Sequence, residues 1–256
     1  ELARRASWPA PVAGQLGRFV NAAGDRYTGS TAAPVRAGYR FEAALGAPVP
    51  AEAPGTRPLY SCAADGDLFT SAQADCEGGT VLGETGRVYV EAPAGVPTVP
   101  LYRCAAAGDR FDSRRVDCGG ATRQVLLGHA RAYAALARYN SRLTAEHVTT
   151  VDGVPPSYYR EGSFGWLALA AEPGTTPLTS CLADTDQFLS TDPGCEGKTV
   201  LGHMGHVWTS PPAGLASAPI YACRINGERF VSRQSTCEGF TVDGQLGHVL
   251  TALPTL

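Results

Sequence analysis

Short stretches in which apolar and polar residues alternate recur along this chain, each bounded by Gly, Pro or Asp. PLYSCAADGDLFTS, PLYRCAAAGDRFDS, PLTSCLADTDQFLS and PIYACRINGERFVS begin at Pro58, Pro100, Pro177 and Pro219 and share one layout. The alternation predicts a strand at P-L-Y-x-C, a turn, a second strand at D-x-F-x-S and a polar loop to a second cysteine. DCEGGTV, DCGGATR, GCEGKTV and TCEGFTV follow and predict two further short strands, at E-G-x-T-V and G-H-V-x, joined through a Gly. Phe69, Phe111, Phe188 and Phe230 stand at one position of the second strand and are expected in the core. HARAYAALARYN, from His129, is rich in helix formers. Its first residues align with GHVL at Gly247, so the repeat predicts strand there as well.

The same text closes on a hydrophobic or small residue followed by Gly, at Thr85-Gly86, Leu127-Gly128, Met204-Gly205 and Leu246-Gly247. Leu45-Gly46 and Phe164-Gly165 close two more modules, which lack cysteine, and the two halves repeat at 119 residues. Six modules of about forty residues in two sets of three predict an all-β protein of two tandem β-trefoil-like domains. The expected division is 18–136 and 137–256, preceded by an arm or linker over 1–17. One six-bladed β-propeller is the alternative. The 30 Gly and 19 Pro fall at fixed places in the joints and read as turn punctuation.

Cysteine usage sets the compartment. The eight cysteines form the pairs Cys62/Cys76, Cys104/Cys118, Cys181/Cys195 and Cys223/Cys237, with thirteen residues inside each pair. Even numbers in equal loops predict disulfides and an extracellular protein. Each bridge is expected to tie the first strand of a module to the loop before the third. Zinc needs close pairs such as C-x2-C, which are absent, so neither metal nor other cofactor is expected. A net charge of −3 with scattered arginines excludes a phosphate-backbone footprint, so no nucleic-acid partner is expected. No apolar run is long enough to span a bilayer. The start at Glu1 suggests a processed form or a piece of a larger protein. Lys198 is the one lysine, and the bias to Arg and Ala suggests a GC-rich bacterial source.

The modules resemble a family of secreted bacterial repeats reading approximately P-L-Y-R-x-Y-N, then G-D-H-F, then E-G-x-x-G-Y-V. ARYNSRLTAEHVTT and YYREGSFGW carry the likeness in the fourth module. GDLF, GDRF, TDQF and GERF, with CEGGTV and CEGKTV, carry it in the others. More distantly, the chain resembles lectin subunits of secreted toxin particles of actinobacteria. The resemblance implies an extracellular accessory or adhesion module and supplies no catalytic residue. The family's aromatic after the closing Gly is Trp166 here, but Arg87, His129, His206 and His248 stand at that position in other modules.

Two recurring positions are candidate ligand contacts. Asp67, Asp109, Asp186 and Glu228 open the second strand, beside a variable neighbour that is Arg110 or Arg229 in two modules. A carboxylate there either reads sugar hydroxyls or accepts turn hydrogen bonds. Arg87, His129, Trp166, His206 and His248 follow the closing Gly. The histidines are expected as half-exposed strand residues rather than metal ligands or acid/base groups, able to hydrogen-bond a glycan if they face a shared groove. Trp166, like Trp208, is a sugar platform if exposed and a barrel plug if buried. No G-x-S-x-G, H-E-x-x-H, P-loop or G-x-G-x-x-G occurs, so the chain is not expected to be an enzyme. The expected function is carbohydrate binding on a cell surface or cell wall, as the targeting part of a larger secreted protein or toxin complex. The alternatives are an assembly subunit that docks on a partner protein, through the N-terminal arm, and a glycan-active hydrolase.

Overall fold

The computed structural model describes residues 14–33 and 35–256, so most of the arm expected over 1–17 lies outside the described residues. Among them the chain is all β, with 18 strands in three sheets and four 3-10 turns. Each module is three strands with the first in the middle. Module one has β1 (Leu16–Asn21), β2 (Arg26–Ser30) and β3 (Tyr39–Gly46); module two has β4 (Thr56–Ala64), β5 (Asp67–Ser71) and β6 (Thr80–Tyr89); module three has β7 (Thr98–Ala106), β8 (Asp109–Ser113) and β9 (Thr122–Arg131). The second set is β10 (Tyr133–Ser141), β11 (His147–Thr150) and β12 (Tyr158–Ala168); β13 (Thr175–Ala183), β14 (Asp186–Ser190) and β15 (Thr199–Trp208); β16 (Ser217–Ile225), β17 (Glu228–Ser232) and β18 (Thr241–Leu250). HARAYAALARYN is strand throughout apart from the bend between β9 and β10. Pairing with β12 from Tyr133 to Ser141 overrides its helix propensity.

The two short strands expected after each second cysteine are one continuous strand of ten residues. The bend that the glycines announce is absorbed without a break by register shifts, as between Leu59 and Tyr60 and between Ser61 and Cys62. The first part of the strand pairs with the hairpin end of the module, and the last part runs into the core.

All four expected disulfides, Cys62–Cys76, Cys104–Cys118, Cys181–Cys195 and Cys223–Cys237, form within modules, with Cα–Cα distances of 5.6–5.9 Å. Each bridge ties the first strand of its module to the polar connection before the third, as expected. Within that connection Cys76, Cys118, Cys195 and Cys237 each open a 3-10 turn, Cys76–Gly78, Cys118–Gly120, Cys195–Gly197 or Cys237–Gly239, and are buried. All four have positive φ, at 52°, 52°, 53° and 49°. Their main-chain N–H groups donate to the carbonyls of Gln73, Arg115, Asp192 and Gln234, three residues back, which folds the segment tightly. That tight fold turns the sulfur inward while the surrounding polar side chains stay in solvent. Each bridge packs on the module's phenylalanine, Phe69, Phe111, Phe188 or Phe230, all buried. In the chain-entropy picture each bridge contributes roughly 3 kcal/mol.

The chain divides into two compact units, one running to Ala132 and the other Tyr133–Thr255. The boundary expected between residues 136 and 137 falls inside β10. Within the C-terminal unit the last strands pair with one another all round: Trp166 with Leu250, Ala168 with His206, and Trp208 with His248. Leu136, Leu178, Ile220, Phe164 and Leu167 fill the space they enclose. In the N-terminal unit Tyr89 pairs with His129 and Ala47 with Arg131, around Leu16, Leu45, Leu59, Leu101 and Leu127.

The closing glycines make these approaches possible. At Gly128 φ is +145°, and a Cβ there would lie 2.5 Å from the carbonyl oxygen of Tyr89 in the neighbouring module. Replacing Gly128 with Ala is therefore expected to cost about 3 kcal/mol in urea unfolding. Gly214→Ala, at a loop glycine with open space around it, should cost about 1 kcal/mol.

Candidate functional site

In the four cysteine-bearing modules the hairpin presents its acidic residue to the next module of the same unit. Asp67 accepts a hydrogen bond from the main-chain N–H of Arg110, Asp109 from that of Arg26, Asp186 from that of Arg229, and Glu228 from that of His147. The acid is thus an acceptor, as a turn residue would be, but its donor lies one module away. Asp25 and Glu146 hold the same position in the cysteine-free modules. The six acids therefore form two sets of three, one in each unit.

In the N-terminal unit the set is drawn tight. Asp25, Asp67 and Asp109 bring carboxylate oxygens within 4.8 Å of one another, the one group among the described residues spaced to share a cation. Its charge is met from within the chain. Arg110 pairs with Asp67 at 2.6 Å, Arg26 pairs with Asp109 at 2.7 Å, and the Tyr39 hydroxyl donates to Asp25. Burial first, and the Asp25 carboxylate second, push the Tyr39 pKa up to about 12.

In the C-terminal unit the set is open. Glu146, Asp186 and Glu228 line a wide cleft of about 600 Å³ with Lys198, Arg224 and Arg229. Glu146 accepts from the Tyr158 hydroxyl, and Glu228 lies 2.7 Å from His147 Nδ1. Oδ1 of Asp186 is buried with no hydrogen-bond partner. Burial, reinforced by the nearby Glu228 and Glu146, lifts the Asp186 pKa above the usual carboxylate range. Arg224 and Arg229 also form a wall of a second, deeper cavity of about 350 Å³, whose other sides include Phe188, Phe230, Glu196 and Thr149. Thr149 is 2 % exposed and its hydroxyl has no partner.

The candidates after the closing Gly are not brought to either cleft. Trp166 is 4 % exposed and belongs to the core, so its indole is not a surface platform. It is buried because Trp166 pairs with Leu250 where the last strands close. Nδ1 of His206 and of His248 is buried without a partner. Burial lowers the pKa of His129 and, with His203 adding, of His206, which favours neutral imidazoles. Arg87 is half-buried and held by Thr56 and Glu84. The cysteines line neither cavity; Cys76, Cys118, Cys195 and Cys237 are spent in the bridges, and their turns matter to the site through the residue that follows, which is Glu77, Glu196 or Glu238 in three modules. Of the sequence candidates, Asp186, Glu228 and Arg229 meet in one cleft, whereas Asp67, Asp109 and Arg110 meet in an internal ion-pair network. Glu146, Glu196, Thr149 and Arg224 were not singled out from sequence. Aligning EHV in module four with GDRF in module three would have found Glu146.

The two units also differ in the third residue after the acid. In the C-terminal unit this layer is Thr149, Leu189 and Val231; in the N-terminal unit it is Thr28, Thr70 and Asp112. Asp112 is 1 % exposed, and the Thr28 and Thr70 hydroxyls adjoin it without well-aligned hydrogen bonds to its oxygens. Burial raises its pKa, against the opposing pull of those hydroxyls and of Arg103 and Arg18.

Comparison with protein-family models, with curated proteins and with solved structures finds no match, so the functional reading rests on the geometry of the site.

A carboxyl whose folded-state pKa is raised favours folding below its unfolded value near pH 4 and opposes it as pH rises from there. Asp112→Asn is therefore expected to raise the urea midpoint at pH 7, with the gain shrinking toward pH 3. An equal gain at both pH values would show that titration of Asp112 is not the cause.

Proposed function

We propose that this chain is a secreted carbohydrate-binding module, built as two tandem β-trefoil-like domains, that holds a cell-surface or cell-wall glycan in the wide cleft of its C-terminal unit. The observation that carries the reading is the convergence of Glu146, Asp186 and Glu228 with Arg224, Arg229 and Lys198 around one open cavity of about 600 Å³. Interleaved carboxylates and cations suit the hydroxyls of a sugar, which donate and accept in alternation. The same acids in the N-terminal unit are occupied by Arg26, Arg110 and the Tyr39 hydroxyl, so that unit supports the fold and the C-terminal one binds. Mutual pairing of three last strands within one unit supports the trefoil arrangement over a ring of six blades. Four disulfides and the likeness to secreted bacterial repeats support an extracellular setting, where the chain acts as the targeting part of a larger secreted protein or toxin complex.

The test is binding of the intact, oxidised protein to an array of glycans and bacterial wall polymers. Saturable binding to a defined saccharide is expected, weakened about tenfold or more by Asp186→Asn and by Glu228→Gln. Asp67→Asn, in the other unit, should leave it unchanged. A blank array with correctly folded protein, or equal losses from all three variants, would overturn the reading.

A further inference from the structure

Three arginines of this chain occupy one recurring slot between neighbouring modules. The Arg103 guanidinium grips the Glu77 carboxylate with two hydrogen bonds, at 2.7 and 3.0 Å. It also donates to the Thr70 carbonyl at 3.1 Å and lies 5.4 Å from the Phe69 ring centre. Arg138 repeats the set on Glu238, the Val231 carbonyl and the Phe230 ring. Arg18 keeps the carbonyl of Asp112 and the ring of Phe111, with Glu42 in place of the missing turn carboxylate.

In module six the residue at this strand position is Ala222, between Tyr221 and Cys223 as Arg103 is between Tyr102 and Cys104. The ring, the main-chain carbonyl and the turn carboxylate of the slot are kept, while Asp243, bonded to Arg224, stands where Gln124 accepts from Arg103 Nε. Phe188, Leu189 and Glu196 are the counterparts of Phe69, Thr70 and Glu77, and they line the cavity of about 350 Å³. The two remaining positions are different. For Ser180 the aligned position in module four is Val148 rather than an aromatic, and for Ser61 it is Tyr27, whose ring is covered by Arg36. Among the described residues, only the Ala222 slot keeps both ring and carboxylate while lacking its guanidinium.

Charge agrees. Asp67 and Glu77 are answered by Arg110 and Arg103, but Asp186 and Glu196 have Arg229 alone. Arg229 stacks over Phe188 at 4.0 Å, as Arg110 does over Phe69 at 3.6 Å. Its side chain reaches Glu196 rather than Asp186, and Asp186 Oδ1 is left without a partner. Asp243 and Arg224 pair with each other at 3.1 Å and add no net charge.

We propose that the Ala222 slot is a receptor for a guanidinium group from outside the chain, the arginine side chain of a peptide or protein partner. The incoming guanidinium takes Glu196 in the manner of Arg103, and Arg229 turns to Asp186 in the manner of Arg110. This site is distinct from the wide glycan cleft, although Arg224 and Arg229 wall both.

Titration of the intact protein with Nα-acetyl-arginine amide, followed by ligand-observed NMR, tests the proposal, with the lysine and citrulline analogues as controls. Arginine amide is expected to saturate with a Kd on the order of 1 mM, about tenfold tighter than the lysine analogue, whose ammonium cannot make the paired contact. Citrulline, neutral but of the same shape, should not bind. Ala222→Arg fills the slot from within and should abolish binding while raising thermal stability; Glu196→Gln should weaken binding about tenfold, which keeps the test decisive if the first variant misfolds. Equal binding of citrulline and arginine would overturn the proposal. So would undiminished binding in folded Ala222→Arg or in Glu196→Gln, absence of saturation by arginine amide, or an amino sugar that binds in the slot where arginine amide does not.

Discussion

The fold depends on backbone meeting backbone where modules close. Three strands and one disulfide cannot bury the apolar ends of their own long strands, so each module must lay its last strand against a neighbour's. A side chain at that point would collide with main chain. In the C-terminal unit the closing glycines Gly165, Gly205 and Gly247 lie against the carbonyls of Leu250, Ala168 and Trp208, one from each of the other modules in turn. The hydrophobic-Gly text that ends five of the six modules is the sequence record of this requirement; Gly86, after Thr85, meets the Leu16 side chain instead.

Closure brings the hairpins together, and with them the acids and arginines. Because a carboxylate at the head of one hairpin accepts from the next, the charges become joints between modules rather than surface decoration. A buried guanidinium that also takes a main-chain carbonyl and an aromatic face leaves few of its donors unmet, which offsets the desolvation that burying an ion entails. The two units keep this scaffold and diverge in how completely it is filled. Arg103 fills one copy of the slot, whereas its counterpart 119 residues on is Ala222, which leaves a cavity of about 350 Å³ beside Phe188 and Glu196.

Much of this was legible in the chain. Cysteine spacing gave the disulfides, the D-x-F position gave the core phenylalanines, and repeat alignment correctly overruled helix propensity around Tyr133. That the second cysteines fall in the connection before the third strand was legible, but the turn that buries them was not. Asp, Gly and Glu around Cys76 and Cys195 read as a polar loop, while the left-handed turn that buries those cysteines is a property of backbone angles rather than of polarity. Strand count was harder too, because glycine inside a strand signals a break and a bulge alike; here register shifts at Leu59 and Ser61 carried one strand through. The acidic position was visible, but its partners were not, since Asp67 and Arg110 stand 43 residues apart. Trp166 showed an aromatic without showing which side of the sheet it faces. Ala222 was the least visible of all. Its meaning is the absence of a group, and it emerges only when the internal copy shows what that group holds.

Closure of three modules on themselves is what the rest of the structure requires. Oxidised protein comprising only residues 133–256, followed by amide NMR and thermal unfolding, addresses it most directly. The account predicts a dispersed spectrum and a single cooperative transition for this segment alone. A collapsed or unfolded segment that gains order only when the first three modules are joined to it would contradict the account, because closure would then require all six.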